Sequence, residues 1–441
     1  MQKLVNVHSL KLVLLLLIFS SISIFAQESK SFSNLDEVLN FAKEKNYQFK
    51  NANYQSEIAS LAKKTAFGNV FSPRINVNAQ SINNLNLQTS YLPAQVFGGN
   101  PGEFKEVFMG LQYVSTFSVQ PQFDILNLSN IALIKSSKIN AELTEIQNKI
   151  EEQSIYEQIN AVYFNILSFN GQKKVLQENK VIAEELLRIT TNKFKEGIAR
   201  KQEVNEAEVN LIAIQDKIEQ VEFNTKIQYQ IFNSYFENTA NSELTENIWD
   251  YKNATEITAA ENNLQTEKIN FQTDLAKQDY KSLQYQNLPV LSFISSFNWQ
   301  NLSNEGFFDN NSISQNFNFV GLKLAWDLPV VQRLSSLKNK KLQLTILENN
   351  KEHLQVAQLT TTKQLSLDLE KSVKQKDNFE TIFNLKQDTY DKNFNQYKEG
   401  ILPLDKLLIS QNEMLISKLN LLSSYANIGF NTYKIIINNK F

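Results

Sequence analysis

Two hydrophobic rhythms divide the chain. In four places apolar and polar residues alternate. Leu111, Tyr113, Phe117, Val119 and Phe123 alternate with Gln112, Thr116, Ser118, Gln120 and Gln122. Val320, Leu322, Leu324, Trp326 and Leu328 alternate with Gly321, Lys323, Ala325 and Asp327. Leu291, Phe293, Phe297 and Trp299 form a third run, and Ile75, Val77 and Ala79 begin a weaker fourth. Period two sends successive side chains to opposite faces of a strand. The pattern predicts strands at about 74–88, 108–124, 289–302 and 314–328.

Elsewhere the period is 3.5. Ile139, Leu143, Ile146 and Ile150 step by four, three and four, and Ile155, Ile159, Val162, Ile166 and Phe169 continue the rhythm. Val204, Ala207, Leu211, Ile214, Ile218 and Val221 make one seam; Leu407, Ser410, Met414, Ser417, Leu421 and Ser424 make another, alternating large with small. Such heptad seams predict long coiled-coil helices. The stretch from Leu128 to Phe194 would run about 100 Å at 1.5 Å per residue. Shorter helical segments are predicted at 34–68 and 256–286.

The two halves repeat. FKEGIARKQEV begins at Phe194 and YKEGILPLDKL at Tyr397, so Gly197 and Gly400 are 203 residues apart. Phe123-Asp124 and Trp326-Asp327 are separated by the same 203 residues. Pro73 and Pro289 are 216 apart, so the first half is 13 residues longer between its proline and its aromatic-Asp pair. Each unit reads as helix, two strands, then two long helices with the glycine motif between them. The boundaries predicted are 27–240 and 241–441.

Residues 1–26 precede the first repeat. Lys3 and Lys11 flank the start of the apolar run Leu12–Phe19, and small and polar residues follow as far as Ala26, the pattern of a secretory signal. Losing its two lysines takes the formal charge from −2 to −4. That near balance, 44 basic against 46 acidic side chains, gives no support for nucleic-acid binding. The chain has no cysteine and only two histidines, His8 and His353, which removes thiolate chemistry, disulfides and the common metal constellations. No phosphate-binding glycine loop is present; the only Gly-Gly pair, Gly98-Gly99, lies in a loop. No enzyme and no cofactor are expected.

Four amphipathic strands among helices this long have two uses. A soluble sheet would bury its apolar face on the helices. A strand of about ten residues tilted about 45° also spans a bilayer. In lipid an open sheet edge is not tolerated, so four strands must associate. Two copies would make an eight-strand barrel filled by side chains; three would make a twelve-strand barrel with room for a pore. Residues 90–105 (SYLPAQVFGGNPGEFK) and 303–314 (SNEGFFDNNSIS) read as Gly-, Asn- and Ser-rich loops joining the strand pairs. Trp299 and Trp326, at strand ends, are candidates for an aromatic girdle, whereas Trp249 is expected to pack in a helical connection.

The duplicated order, the aromatic-x-x-Gly turns Phe194/Gly197 and Tyr397/Gly400, and the strand ends QPQFD and LAWDLP resemble the TolC-like outer-membrane efflux proteins over about 30–441. The resemblance implies a homotrimer in the outer membrane, with a twelve-strand barrel in lipid and a long periplasmic α-barrel. It implies an exit duct for a tripartite efflux or type I secretion system, fed by a periplasmic adaptor protein and an inner-membrane pump. Phe194, Gly197, Tyr397 and Gly400 would then be adaptor-contact tips, and Glu203 and Tyr397 would stand at a periplasmic gate. Leu402, Lys406 and Ile409 depart from positions that carry gating charges in relatives. The alternative is a soluble periplasmic coiled-coil scaffold or adaptor.

Overall fold

The computed structural model describes residues 28–237, 239–253, 256–307 and 309–441. The export signal read at 1–26 lies outside them. In chain order the elements are β1 (Glu28–Phe32), α1 (Leu35–Lys45), α2 (Tyr47–Phe71), β2 (Arg74–Asn83), β3 (Gln88–Pro93), β4 (Phe104–Met109), β5 (Tyr113–Leu126), α3 (Leu128–Lys195), α4 (Lys201–Asn233), β6 (Thr239–Leu244), α5 (Leu264–Tyr285), β7 (Val290–Ser303), β8 (Ile313–Ala325), α6 (Val331–Lys398) and α7 (Leu404–Asn439). The protein is mostly helical with a small sheet. α3 and α6 have 68 residues each, about 19 turns.

The chain forms two compact units that do not coincide with the two sequence repeats. One joins the N-terminal segment up to Asn53 with Asn148–Leu264 and Gln355–Phe441; the other joins Tyr54–Gln147 with Gln265–Leu354. Each takes residues from both halves.

The first unit holds the main apolar core. Phe32, Leu35, Val38, Tyr156, Ile159, Tyr163, Phe232, Ile248 and Leu422 are at most 2 % exposed within it. Its N-terminal helix starts where Asn34 Oδ1 accepts from Glu37 N–H at 2.9 Å, while the Glu37 carboxylate reaches back to Ser33 N–H at 2.9 Å. That reciprocal cap satisfies donors which a helix start leaves unpaired. α1 ends at Asn46, which is nearly buried and whose Nδ2 donates to the Tyr235 carbonyl at 2.9 Å. β1 pairs in parallel with β6, so the start of the described chain is held against the boundary between the repeats. The seams of α4 and α7 face inward: Val204, Ala207, Ile214 and Val221 are buried, as are Leu407, Ser410, Met414, Ser417, Leu421 and Ser424. The three serines satisfy their hydroxyls on carbonyls three residues back, at 2.6–2.8 Å, so the small side chains cost no unpaired polar group. Gly429 of α7 lies against the Phe164 and Tyr251 rings, which occupy the space a Cβ would need.

One carboxylate sits within this core. Tyr163 and Tyr251 both donate to Glu246 Oε2, the second at 3.0 Å. Burial raises the Glu246 carboxyl above its ordinary range against the opposing pull of the two tyrosine bonds, and Asp250 and Asp36 add to the rise. The folded chain then keeps a proton over a window in which the unfolded chain has released it, so stability falls as pH climbs from the ordinary carboxylate value through the raised one. Glu246→Gln keeps an acceptor for both hydroxyls and should flatten that slope, measured as Tm across about pH 4 to 8.

The second unit carries the sheet, ordered β2-β5-β7-β8 and antiparallel throughout. Its central pair, β5 and β7, comes from different repeats. β2 and β8 are its two open edges. The expected loop at 90–105 is corrected here. β3 and β4 form a separate hairpin, from Gln88↔Met109 to Pro93↔Phe104, closed by a short 3-10 turn at Ala94–Phe97. Turn residues dominate the composition of that stretch and hide two six-residue strands beside them. Gly110, at φ 94°, separates this hairpin from β5, so the strand expected from 108 begins at Tyr113. The segment 303–314 keeps its turn between β7 and β8.

Candidate functional site

Two places gather the residues singled out by sequence: the paired helix turns and the sheet.

The turns are built alike. Gly197 (φ 77°) donates to the Phe194 carbonyl at 3.0 Å, and Ile198 N–H reaches the Lys193 carbonyl at 2.8 Å. Gly400 (φ 78°) donates to the Tyr397 carbonyl at 3.1 Å, and Ile401 N–H reaches the Gln396 carbonyl at 2.9 Å. Both are Schellman caps, in which a left-handed residue lets two N–H groups satisfy the last carbonyls of a helix. The residue after the glycine commonly folds back onto an apolar partner in such caps. Here the partner positions are Lys193 and Gln396, and Ile198 and Ile401 stay 68 % and 69 % exposed. Neither isoleucine was singled out by sequence reasoning, although both belong to the shared Gly-Ile motif. Beyond Gly197 and Gly400 nothing lies within 4 Å of where a Cβ would stand.

The aromatic residues of the two turns differ. Phe194 is 41 % exposed, but Tyr397 is 3 % exposed. The Tyr397 hydroxyl and Thr190 Oγ1 are 2.7 Å apart, and Lys193 lies 4.1 Å over its ring and also donates to its backbone carbonyl. Burial pushes the phenol above its ordinary value, so it remains a neutral hydroxyl. Tyr397 therefore ties the second turn to the end of α3. Around it Leu186, Ala207, Tyr390, Leu404, Leu407 and Met414 form a separate small core. Glu203 caps its own helix: its Oε1 accepts from Arg200 N–H at 3.4 Å. Leu402 packs against the small core, whereas Lys406 and Ile409 are exposed.

The register sorts the sheet into two faces. One carries Ile75, Val77, Ala79, Phe117, Val119, Phe123, Phe293, Phe297, Trp299, Val320, Leu322 and Leu324, and no charge; towards the β7–β8 turn Asn301, Asn316 and Asn318 join it. The other carries Asn76, Asn78, Gln80, Thr116, Ser118, Gln120, Gln122, Ser296, Asn298 and Gln300, together with every charged residue of the four strands: Arg74, Asp124 and Lys323. Phe317 and Phe319 interrupt the polar face on β8, which the alternation read from Val320 onward does not register, and Ile82, Val114, Leu302 and Ile313 form an apolar row across it at the end away from the long helices.

Trp299 is 43 % exposed on the apolar face, with its ring 5.5 Å from Phe117. It pairs with Asn316 of β8, ten residues before Trp326. Trp326, 60 % exposed just beyond β8, donates its indole N–H to the Asn287 carbonyl at 2.9 Å. Ten residues are about 34 Å along a strand, or about 24 Å along the normal at 45° tilt. Trp249 packs edge-on to Tyr425 at 5.5 Å. Among the described residues no group of three or more His, Asp or Glu is placed to hold a metal, and no helix is long and apolar enough to cross a membrane.

No family model matches the chain, and no curated protein matches it. Solved structures do. The chain is similar to CusC, described in terms of transmembrane channel formation, with a TM-score of 0.74 at 11 % identity, over 92 % of this chain and 91 % of that one. It is similar to the outer membrane protein VceC of Vibrio cholerae with a TM-score of 0.67 at 12 % identity, over 91 % and 95 %. The Campylobacter jejuni CmeC outer membrane channel gives 0.66 at 15 % identity, over 92 % and 84 %. The fold of this chain is that of outer-membrane channels, the fold its resemblance to TolC-like proteins implies.

Proposed function

We propose that this protein is the outer-membrane exit duct of a tripartite efflux or type I secretion system, working as a homotrimer. The observation that carries the reading is the sheet. It has one uncharged, mainly apolar face, one mainly polar face and two open edges, and two 68-residue helices follow its strand pairs. Unpaired strand edges are not viable in hydrocarbon. Pairing β8 of one protomer with β2 of the next removes both edges, and three copies give twelve strands. Trp299 and Trp326 then bracket a band, apolar on β8 but for Asn316 and Asn318, close to the ~25 Å height of an outer-membrane barrel, which favours their role in an aromatic girdle.

The helix turns are the proposed contact with a periplasmic adaptor that leads to an inner-membrane pump. Phe194 and the open backbone at Gly197 and Gly400 form the contact, joined by Ile198 and Ile401. Exposed apolar residues on a rigid cap make suitable anchors for a partner. Tyr397 acts from inside by fixing the two turns together. Glu203, as a cap, and Tyr397, through Thr190, would set the position of the helix ends at any periplasmic gate. This is a transport role with no catalytic step.

Native mass measurement of the protein extracted from membranes tests the assembly. The expected result is that detergent is required and that the particle has three times the protomer mass. A monomer in the soluble periplasmic fraction would instead support the coiled-coil scaffold reading and end this one.

A further inference from the structure

The three charged residues of the sheet lie together. Asp124 pairs across the strands with Ser292, and Ser292 with Lys323, so these three occupy one row at the end of the sheet that leads into the long helices. Arg74 reaches the same row from β2, with its Nη2 2.8 Å from Asp124 Oδ1. The Asp124 carboxylate is fully engaged: it also accepts from Ser292 Oγ at 2.8 Å and Asn127 Nδ2 at 3.1 Å. Its charge is matched by Arg74. Lys323 stands two strand spacings from Asp124, about 10 Å. It is exposed, and among the described residues no carboxylate pairs with it. Each row therefore holds one uncompensated positive charge, on the face whose other members are chiefly hydroxyls and amides.

We propose that Lys323 is a lumen-facing cationic position that biases the duct towards anionic cargo, such as small carboxylate- or phosphate-bearing molecules. The proposal rests on the reading of the sheet as one third of a barrel wall. A barrel turns its uncharged apolar face to lipid, which leaves the face with Arg74, Asp124 and Lys323 to line the water-filled interior. Three protomers then place three Lys323 ammonium groups in one ring at the helix-proximal mouth of the barrel. Rings of lysine or arginine favour anions in pores by raising their local concentration. Between this ring and the outer turns the same face offers no further charge, so nothing on the strands offsets it. Phe319 and Phe317, two and three positions further along the same face of β8, give the apolar part of an organic anion a surface to pass over.

The test uses the purified full-length trimer in planar bilayers under a potassium chloride gradient, reading the reversal potential. The expected result is a fall of about twofold in the chloride-to-potassium permeability ratio for Lys323→Glu, and a smaller fall for Lys323→Gln. Lys323→Arg should keep the starting ratio, and the shifts should grow at low salt as screening weakens. The absence of cysteine allows a second measurement on one assembled variant. Lys323→Cys, treated within the bilayer, should move the ratio in opposite directions with an anionic and a cationic thiol reagent. Channels whose ratio is the same in all these variants, or a thiol that no aqueous reagent reaches, would overturn the assignment of Lys323 while leaving the barrel intact. If the unaltered protein forms no channels at all, the barrel reading itself fails and the inference with it.

Discussion

Gly429→Ala is expected to destabilise the folded chain by roughly 2 kcal/mol, and Gly429→Val by more. A Cβ at this position would lie 2.1 Å from Phe164 Cε1 and 2.8 Å from Tyr251 Cδ1. Neither ring can move aside cheaply. Phe164 is 3 % exposed and packs edge-on against Tyr251 at 4.9 Å and Tyr163 at 5.4 Å. Overpacking of this kind costs about 3 kcal/mol, and the gain in helix propensity from removing a mid-helix glycine returns about 1. Displacing Tyr251 would also disturb its bond to Glu246, adding to the loss. Thermal unfolding and the amount of assembled protein in the membrane fraction are the measurements. Phe164→Leu in the Gly429→Ala background should recover part of the loss. No change in Tm for Gly429→Ala would mean that α7 does not approach α3 as closely as described.

If the chain works as the proposed exit duct, Gly197→Val with Gly400→Val should leave the assembly in the membrane but abolish most of its transport. Both glycines have φ near +77°, a region that a β-branched residue enters only at a cost of about 1–3 kcal/mol. The surroundings are open, so the cost is borne by the turn and not by the packed interior. The turn must then distort or project a side chain where a partner's backbone would come. Gly197→Asn with Gly400→Asn separates these effects, because asparagine accepts the left-handed conformation. It should keep the turn and most of the transport. Ile198→Asp with Ile401→Asp leaves both caps intact and should weaken cross-linking to the proposed adaptor. Valine variants that transport normally and still cross-link would reduce the glycines to plain helix caps.

These two sites also show what a single sequence makes legible. The seam Leu407-Ser410-Met414-Ser417-Leu421-Ser424 is readable because a heptad period survives even where half its members are serine. The glycine turns are readable because left-handed backbone selects glycine, and the duplication states the motif twice. Gly429 is not readable in the same way. Its demand comes from the Phe164 and Tyr251 rings, far away in the chain, and nothing near position 429 announces them. The burial of Tyr397 is not readable for a similar reason. An aromatic before a turn glycine reads as a surface feature, but Thr190 and Lys193 take it inside, and sequence periodicity carries no record of that pairing. The β3–β4 hairpin was obscured by its own turn, whose glycines, asparagine and proline outweigh six-residue strands in any composition window. The parallel β1–β6 ladder is too short to display a period and joins segments about 210 residues apart. The row at Lys323 lay half open to view: alternation placed the lysine on the polar side of its strand, but only the register set it beside Asp124 and Ser292.

The pairing of β5 with β7 also sets a schedule for folding. Phe117 meets Trp299, 182 residues later in the chain. Closing a contact over that separation is slow, and most of the chain must be present before it can happen. β2 can close one side of β5 almost at once, since their hairpin is local. The other side waits for a strand that lies beyond both long helices of the first repeat and their turn. Until that contact forms, the folding chain carries an unpaired strand edge with an apolar face, the feature that most readily recruits a wrong partner. A chain halted before then cannot complete its sheet by itself, however well its helices have formed.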